Sequence, residues 1–268
     1  MREITTLDEL KAIELSIMKK IHNFCVANNI TYYLYAGTLI GAVRHKGFIP
    51  WDDDIDIAMP RQDYEKFLDI FPKYAEENDL QLVNYKTKPY YPRPFTKVIN
   101  SNTVLYDLDF KATDPIGVFV DIWPLDGLPN EEKKRGKHIR RIRFLNRLLY
   151  AKVTRVKRTN SFKRNFRIIG GHILACCISL NKLLDKIVKV SKKFSYENSV
   201  FVCGTADYII AEKREYWGEP KLLDFEDTQF NVPQNYDKVL RAVYGNYMGL
   251  PPENKRIPHH IVNTYWKD

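Results

Sequence analysis

Asp52, Asp53, Asp54 and Asp56 fall within five positions of one another, in GFIPWDDDIDIAMP (residues 47–60). Apolar residues flank them: Ile49 and Trp51 before, Ile55, Ile57 and Met59 after. A solvated loop has no need of those neighbours, and a buried strand does not tolerate that much charge. On a strand, side chains alternate between faces. Asp52, Asp54 and Asp56 are then expected on one face, with Ile55, Ile57 and Asp53 on the other. Carboxylates so close repel, and a hard divalent cation such as Mg²⁺, which prefers oxygen ligands, relieves that repulsion. A third acid is available in GVFVDIWPLDG, where Asp121 sits among Val118, Val120 and Ile122, with Asp126 expected just past the strand's end. Two acids two residues apart and a third from another strand suit a one- or two-metal phosphoryl-transfer site. A solvated strand end is the plain alternative. A calcium loop is not, since its Gly-centred twelve-residue spacing is missing.

AGTLIGAVRHKG, just before the acids, offers the complementary chemistry. Gly37 allows close approach of backbone, and a helix beginning at Thr38 turns free N–H groups toward an anion. Thr38 can cap that helix and donate to a phosphate. Arg44 and Lys46 add positive charge beyond it; each is a phosphate-contact candidate or an ordinary surface charge.

These residues need a scaffold. Leu10, Ile13, Ile17, Ile21 and Phe24 recur at helical spacing after a Thr6–Glu9 capping pattern. ITYYLYAG, LQLVNYK, FTKVIN, TVLYDLDF and GVFVDIWPLDG read as strands, and RQDYEKFLDIFPKYAEEN as a helix. The fold class expected is α+β, with a mixed sheet flanked by helices and a basic helical lobe. The expected organisation is a catalytic core over 1–130, the lobe over 131–200, and a C-terminal segment over 201–268 that packs back on the core.

Residues 133–193 hold 20 Lys and Arg against the single Asp185, a net +19, in a chain whose total is +9. Such a block faces a polyanion: nucleic acid, an anionic membrane surface or a phosphate-rich polymer. Ile139, Ile142, Leu145, Leu148 and Leu149 give it an apolar face, which favours a membrane surface. No RNA- or DNA-reading motif accompanies it, so nucleic acid is not the expected partner. The longest apolar run, residues 168–180, is too short to span a bilayer. Cys25, Cys176, Cys177 and Cys203 have no CxxC spacing, which suggests reduced thiols in a cytoplasmic protein without a zinc site.

YAGTLIGAVRHKGFIPWDDDIDIAMPRQDYEKF, GVFVDIWPLDGLP and the C-terminal VPQNYDKVL and YGNYMGLPP together resemble the LicD family of phosphocholine transferases. That family lies in the nucleotidyltransferase-fold superfamily, alongside the fukutin-type phosphoribitol transferases. The resemblance implies a nucleotidyltransferase-like core and transfer of phosphocholine from CDP-choline to a hydroxyl of a teichoic acid or lipopolysaccharide precursor, releasing CMP. Asp54 and Asp56 match the metal-binding DxD, Asp121 the third carboxylate, and Asp52 an accessory acid. The implied ion is Mg²⁺, with Mn²⁺ as alternative. Asp121 or Asp52 would accept the acceptor's proton. The acceptor would be a lipid-linked glycan at the inner face of the membrane. His259 and His260, in the matching tail, are further substrate candidates. Tyr33, Tyr35, Tyr90, Tyr91, Trp123, Tyr244, Tyr247 and Trp266 are the aromatics available to cage choline's ammonium. Motifs common to the superfamily leave phosphoribitol and phosphoethanolamine open as alternative cargo.

Overall fold

The computed structural model describes residues 1–106, 115–154, 170–204, 209–258 and 263–267. Helix α1 (Leu7–Ala27) starts where the Thr6 hydroxyl accepts from the Glu9 N–H, as the capping pattern requires. Strand β2 (Tyr33–Leu34) leads into α2 (Ala36–His45), then β3 (Asp56–Pro60), α3 (Arg61–Glu77) and β4 (Leu80–Val83). After β5 (Thr96–Asn100) and β6 (Thr103–Leu105) comes the ten-residue β7 (Phe119–Leu128), followed by α4 (Glu132–Val153). Then come α5 (Leu180–Ser191), β8 (Phe201–Gly204), β9 (Glu212–Lys213), the hairpin β10 (Lys221–Phe225) and β11 (Thr228–Val232), and α6 (Tyr236–Tyr244). The short β1 (Arg2–Glu3), β6 and β12 (Thr264–Trp266) form a separate antiparallel sheet.

The main sheet has the order β2-β3-β7-β5-β4, with β8 on the far half of β7 and β9 beyond it. β3 and β7 run parallel and the other pairs antiparallel, so the sheet is mixed as expected. β7 is long enough to join three partners because it continues through Pro124, Asp126 and Gly127; the expected end at Asp126 is overturned. Pro124 is tolerated because it lies where β7 passes from one partner to the next.

The two faces of this sheet differ. Ile57, Met59, Val98, Val120 and Ile122 alternate onto one face, are fully buried, and pack in one cluster with Ile17 and Ile21 of α1 and Phe67 and Phe71 of α3. The register puts Asp56, Lys97, Asp121 and Trp123 together on the other face. α4 and α5 form a second apolar cluster, in which Ile142, Leu145, Leu149, Leu183 and Ile187 meet Leu128 and Cys203 of the sheet. The basic segment thus contributes its own small core where it is described; residues 155–169 lie outside the described residues.

Candidate active site

The acids do not sit as strand alternation predicts. β3 begins only at Asp56, and Asp52–Asp54 belong to the loop before it. Pro50 and the turn that follows, closed by the Asp52 N–H on the Ile49 carbonyl (2.9 Å), keep the chain out of strand geometry. The alternation therefore fails, and Asp53 is not turned away. One carboxylate oxygen from each of Asp52, Asp53 and Asp54 comes within 4.8 Å of the others, with Asp53 almost wholly buried. Lys11 of α1 anchors the loop from beneath, its Nζ donating to the carbonyls of Ile49 (3.1 Å) and Pro50 (3.0 Å).

Asp56 and Asp121 face each other across the parallel β3–β7 pair. Trp123 Nε1 donates to Asp56 Oδ1 (2.7 Å), and Lys97 Nζ donates to Asp121 Oδ1 (2.5 Å). Burial pushes the Asp56 carboxyl well above the usual carboxylate range, reinforced by Asp54 and Asp121 and opposed by Trp123 and Lys97. Burial pulls Lys97 below the usual lysine range, opposed by Asp121. A further acid stands behind them. Glu14 of α1 is buried, and its Oε2 has no hydrogen-bond partner among the described residues. Burial raises its pKa well above normal, and Asp54, Asp53, Asp52 and Asp121 each raise it further.

α2 begins at Ala36 rather than Thr38, with Tyr35 as its cap residue. Thr38 is therefore inside the first turn, buried, and its hydroxyl accepts the Asp56 backbone N–H (2.8 Å) instead of capping the helix. Gly37 lies against Asp52: a Cβ there would come 2.7 Å from Asp52 Oδ2. The helix start thus faces the protein's own aspartate, whose carboxylate would have to shift to admit a side chain at Gly37. Arg44 is committed to the C-terminal tail, where its Nη1 donates to the carbonyls of Tyr247 (2.7 Å) and Gly249 (3.3 Å). Lys46 caps the opposite end of α2 in a left-handed conformation, φ 56°. Ten helical residues separate it from Gly37's end by ~15 Å. His259 and His260 lie outside the described residues.

Residues 29–152 match the family model described as LicD/FKTN/FKRP, nucleotidyltransferase domain. Over 97% of its length the chain is 34% identical to the lipopolysaccharide cholinephosphotransferase LicD of Haemophilus influenzae, covering 98% of that protein. The chain belongs to the LicD family. Shorter stretches are similar to two uncharacterized rickettsial proteins: 44% identity over 71 residues in Rickettsia typhi and 43% over 67 residues in Rickettsia prowazekii. These cover 23% and 25% of those proteins.

For a LicD-family site, the donor set fits the hard cation that the family implies. One carboxylate oxygen from each of Asp52, Asp53 and Asp54 forms a cluster, Asp56 and Asp121 pair on the adjoining sheet face, and the buried Glu14 Oε2 has no hydrogen-bond partner among the described residues. Sequence reasoning missed Glu14 and Lys97, turned Asp53 to the opposite face, and named Trp123 only as a choline-cage candidate. Two of these carried a signal. Glu14 interrupts the apolar stripe of α1 between Ile13 and Ile17, and Lys97 interrupts the β-run that holds Thr96, Val98 and Ile99. A charge at a core position is the informative exception.

Proposed function

We propose that this protein transfers phosphocholine from CDP-choline to a hydroxyl of a lipid-linked cell-surface glycan, a lipopolysaccharide or teichoic acid precursor, and releases CMP. The observation that carries the reading is the pairing of Asp56 with Asp121 across β3 and β7 beside the Asp52–Asp54 loop. It occurs in a chain similar along nearly its whole length to a lipopolysaccharide cholinephosphotransferase. Asp54, Asp56 and Asp121 would hold Mg²⁺, with Asp52 and Asp53 beside them, and the ion would supply neutralisation of the negative charge that develops on the phosphates. The chain's own residues set the geometry. Lys97 fixes Asp121, Trp123 fixes Asp56, and Thr38 fixes the backbone at Asp56. Positioning of this kind supplies most of the catalysis in phosphoryl transfer. The acceptor oxygen attacks the choline-bearing phosphorus, the bond to the CMP oxygen breaks, and the acceptor's proton must leave. Asp121 or Asp52 would take that proton; the Lys97 ammonium already occupies Asp121 Oδ1, which favours Asp52.

Purified protein, Mg²⁺, CDP-choline and a glycolipid acceptor test the reading. Wild type is expected to release CMP and label the glycan, and Asp56→Asn to do neither while still folding. Release of CMP only from CDP-ribitol or CDP-ethanolamine would reassign the donor. A fully active Asp56→Asn would remove Asp56 from the site.

The lobe fits the same reading. Lys137, Arg140, Phe144, Arg147 and Tyr150 follow one another at helical spacing along the exposed side of α4, opposite its buried stripe. Cations interleaved with exposed aromatics suit an anionic bilayer surface, where a lipid-linked acceptor resides. No helix among the described residues is long and apolar enough to cross a membrane. Flotation should show binding to anionic vesicles and little to neutral ones; equal binding to both, or none, would refute this docking.

A further inference from the structure

The acid-bearing face of the sheet does not end at the phosphate chemistry. The register continues it across the neighbouring strands. Tyr33 lies opposite Ala58, Gly204 opposite Leu125, Val202 opposite Gly127, and Glu212 opposite Val202, all on the Asp56–Asp121 side. Tyr35 extends the same row, its N–H bonded to the Asp56 carbonyl (2.9 Å). Its ring lies between two indoles, with centroids 6.5 Å from Trp123 and 6.0 Å from Trp217. Its hydroxyl reaches over Gly204, where a Cβ would come within 2.8 Å of it, so the absence of a side chain there makes room for the tyrosine. Phe95 packs tilted against Trp123, at 3.6 Å between centroids. An aromatic wall thus starts at Trp123, whose indole nitrogen holds Asp56, and runs away from the acids.

Glu212 stands behind that wall. It is 3% exposed, and neither its Oε1 nor Trp217 Nε1 has a hydrogen-bond partner among the described residues. Burial raises its pKa to about 8, with the Trp217 indole opposing. Burial raises the Tyr35 pKa, and the nearby Glu212, Tyr244 and Asp56 each raise it further. A buried carboxyl with an unmet oxygen costs stability unless something compensates it. Aromatic faces next to it attract positive charge without requiring a directed N–H donor.

We propose that Tyr35, Trp123 and Glu212 form the subsite for a quaternary ammonium group, the trimethylammonium end of the donor's phosphocholine. A quaternary ammonium donates no hydrogen bond and spreads its charge over methyl groups. Ring faces backed by a carboxyl that an adjacent cation would draw into its ionised form suit it, and the subsite begins one side chain from Asp56, where the attached phosphate is handled. The assignment rests on the phosphocholine reading above and adds the residues that choose choline over other alcohols.

Calorimetry with Mg²⁺, comparing CDP-choline with CDP-glycerol, tests the subsite. CDP-glycerol has the same diphosphate but no cation, so its affinity also reports intact folding. Wild type is expected to favour CDP-choline by about tenfold, in keeping with a desolvated cation–π and charge interaction. Glu212→Gln and Tyr35→Leu are expected to lose most of that margin, while their affinity for CDP-glycerol stays within about twofold of wild type. Tyr35→Phe keeps the ring face and should keep the margin. If both disruptive variants retain the preference, the subsite is wrong and the donor reading stands. If wild type itself shows no preference for CDP-choline, the donor reading falls and takes the subsite with it.

Discussion

β7 carries two buried aspartates five residues apart, and they belong to opposite faces of one sheet. Asp126 points to the face covered by α1 and α3, where Arg61 grips it through two hydrogen bonds, Nε to Oδ1 at 2.7 Å and Nη2 to Oδ2 at 2.6 Å. Asp121 points to the other face, where Lys97 engages one oxygen and Asp56, Asp54 and Glu14 add negative charge nearby. The Arg61–Asp126 pair is saturated by a planar fork and closes locally. Around Asp121, among the described residues, the acids outnumber the cations. Burial alone does not mark a functional carboxylate; an uncompensated charge balance does.

The comparison can be broken by exchanging the two phenotypes. Asp121→Asn is expected to lower transfer by about 10³-fold, roughly 4 kcal/mol at the transition state. Without metal, relief of repulsion among the acids offsets the loss of the buried Lys97 ion pair, so its melting temperature should fall less than that of Asp126→Asn. Asp126→Asn should leave turnover per folded molecule unchanged and cost about 3 to 5 kcal/mol of stability, since it leaves the Arg61 charge buried and half-paired. Melting curves and single-turnover assays on both variants decide it. If both lose activity, or both only lose stability, the two faces do not divide the work.

Each face was legible in the sequence to a different degree. The apolar face follows directly from alternation: Ile57 and Met59, Val120 and Ile122, all reach the core. Asp56 and Asp121 were readable for the same reason, since each interrupts such an alternation. The loop was not, because alternation presumes a strand, and Pro50 with its turn delays the strand to Asp56. Thr38 was misplaced by two residues, as helix starts often are. Its hydroxyl serves a tertiary bond to Asp56 N–H that no local pattern encodes. Glu212 sits on a two-residue strand in the C-terminal part of the chain, and only tertiary pairing through β8 brings it to the acid-bearing face.

A subtler test uses pH. Asp56, Glu14 and Glu212 all have raised carboxyl pKa values in the fold. Unfolded, they release their protons near the ordinary values of about 4. Between there and the raised values, up to about 8 for Glu212, the folded state holds more protons than the unfolded one. Stability must therefore fall as pH rises through this window. Melting in chelator at pH 5, 6, 7 and 8 should show the decline, and saturating Mg²⁺ should flatten it by favouring the ionised acids. A stability that rises with pH would show that the chain already compensates these groups. Thr38→Val comes next in size. It strips the partner from the buried Asp56 N–H and should cost about 1 to 3 kcal/mol, with a loss of turnover from the misplaced Asp56.

The smallest effect discriminates between the two ends of α2. The helix start meets Asp52 at Gly37, whereas Lys46 closes the far end with φ 56° and an exposed side chain. Its carbonyl accepts from the Glu226 N–H at 2.8 Å, a backbone contact that any residue can make. The left-handed conformation costs a lysine up to about 1 kcal/mol, which glycine avoids. Lys46→Gly is therefore expected to raise stability slightly and to leave the donor's KM within error of wild type. A lysine that grips the donor's diphosphate would reveal itself in the same experiment as a several-fold rise in KM. That outcome would extend the phosphate site along the whole of α2, past the acids to which the present geometry confines it.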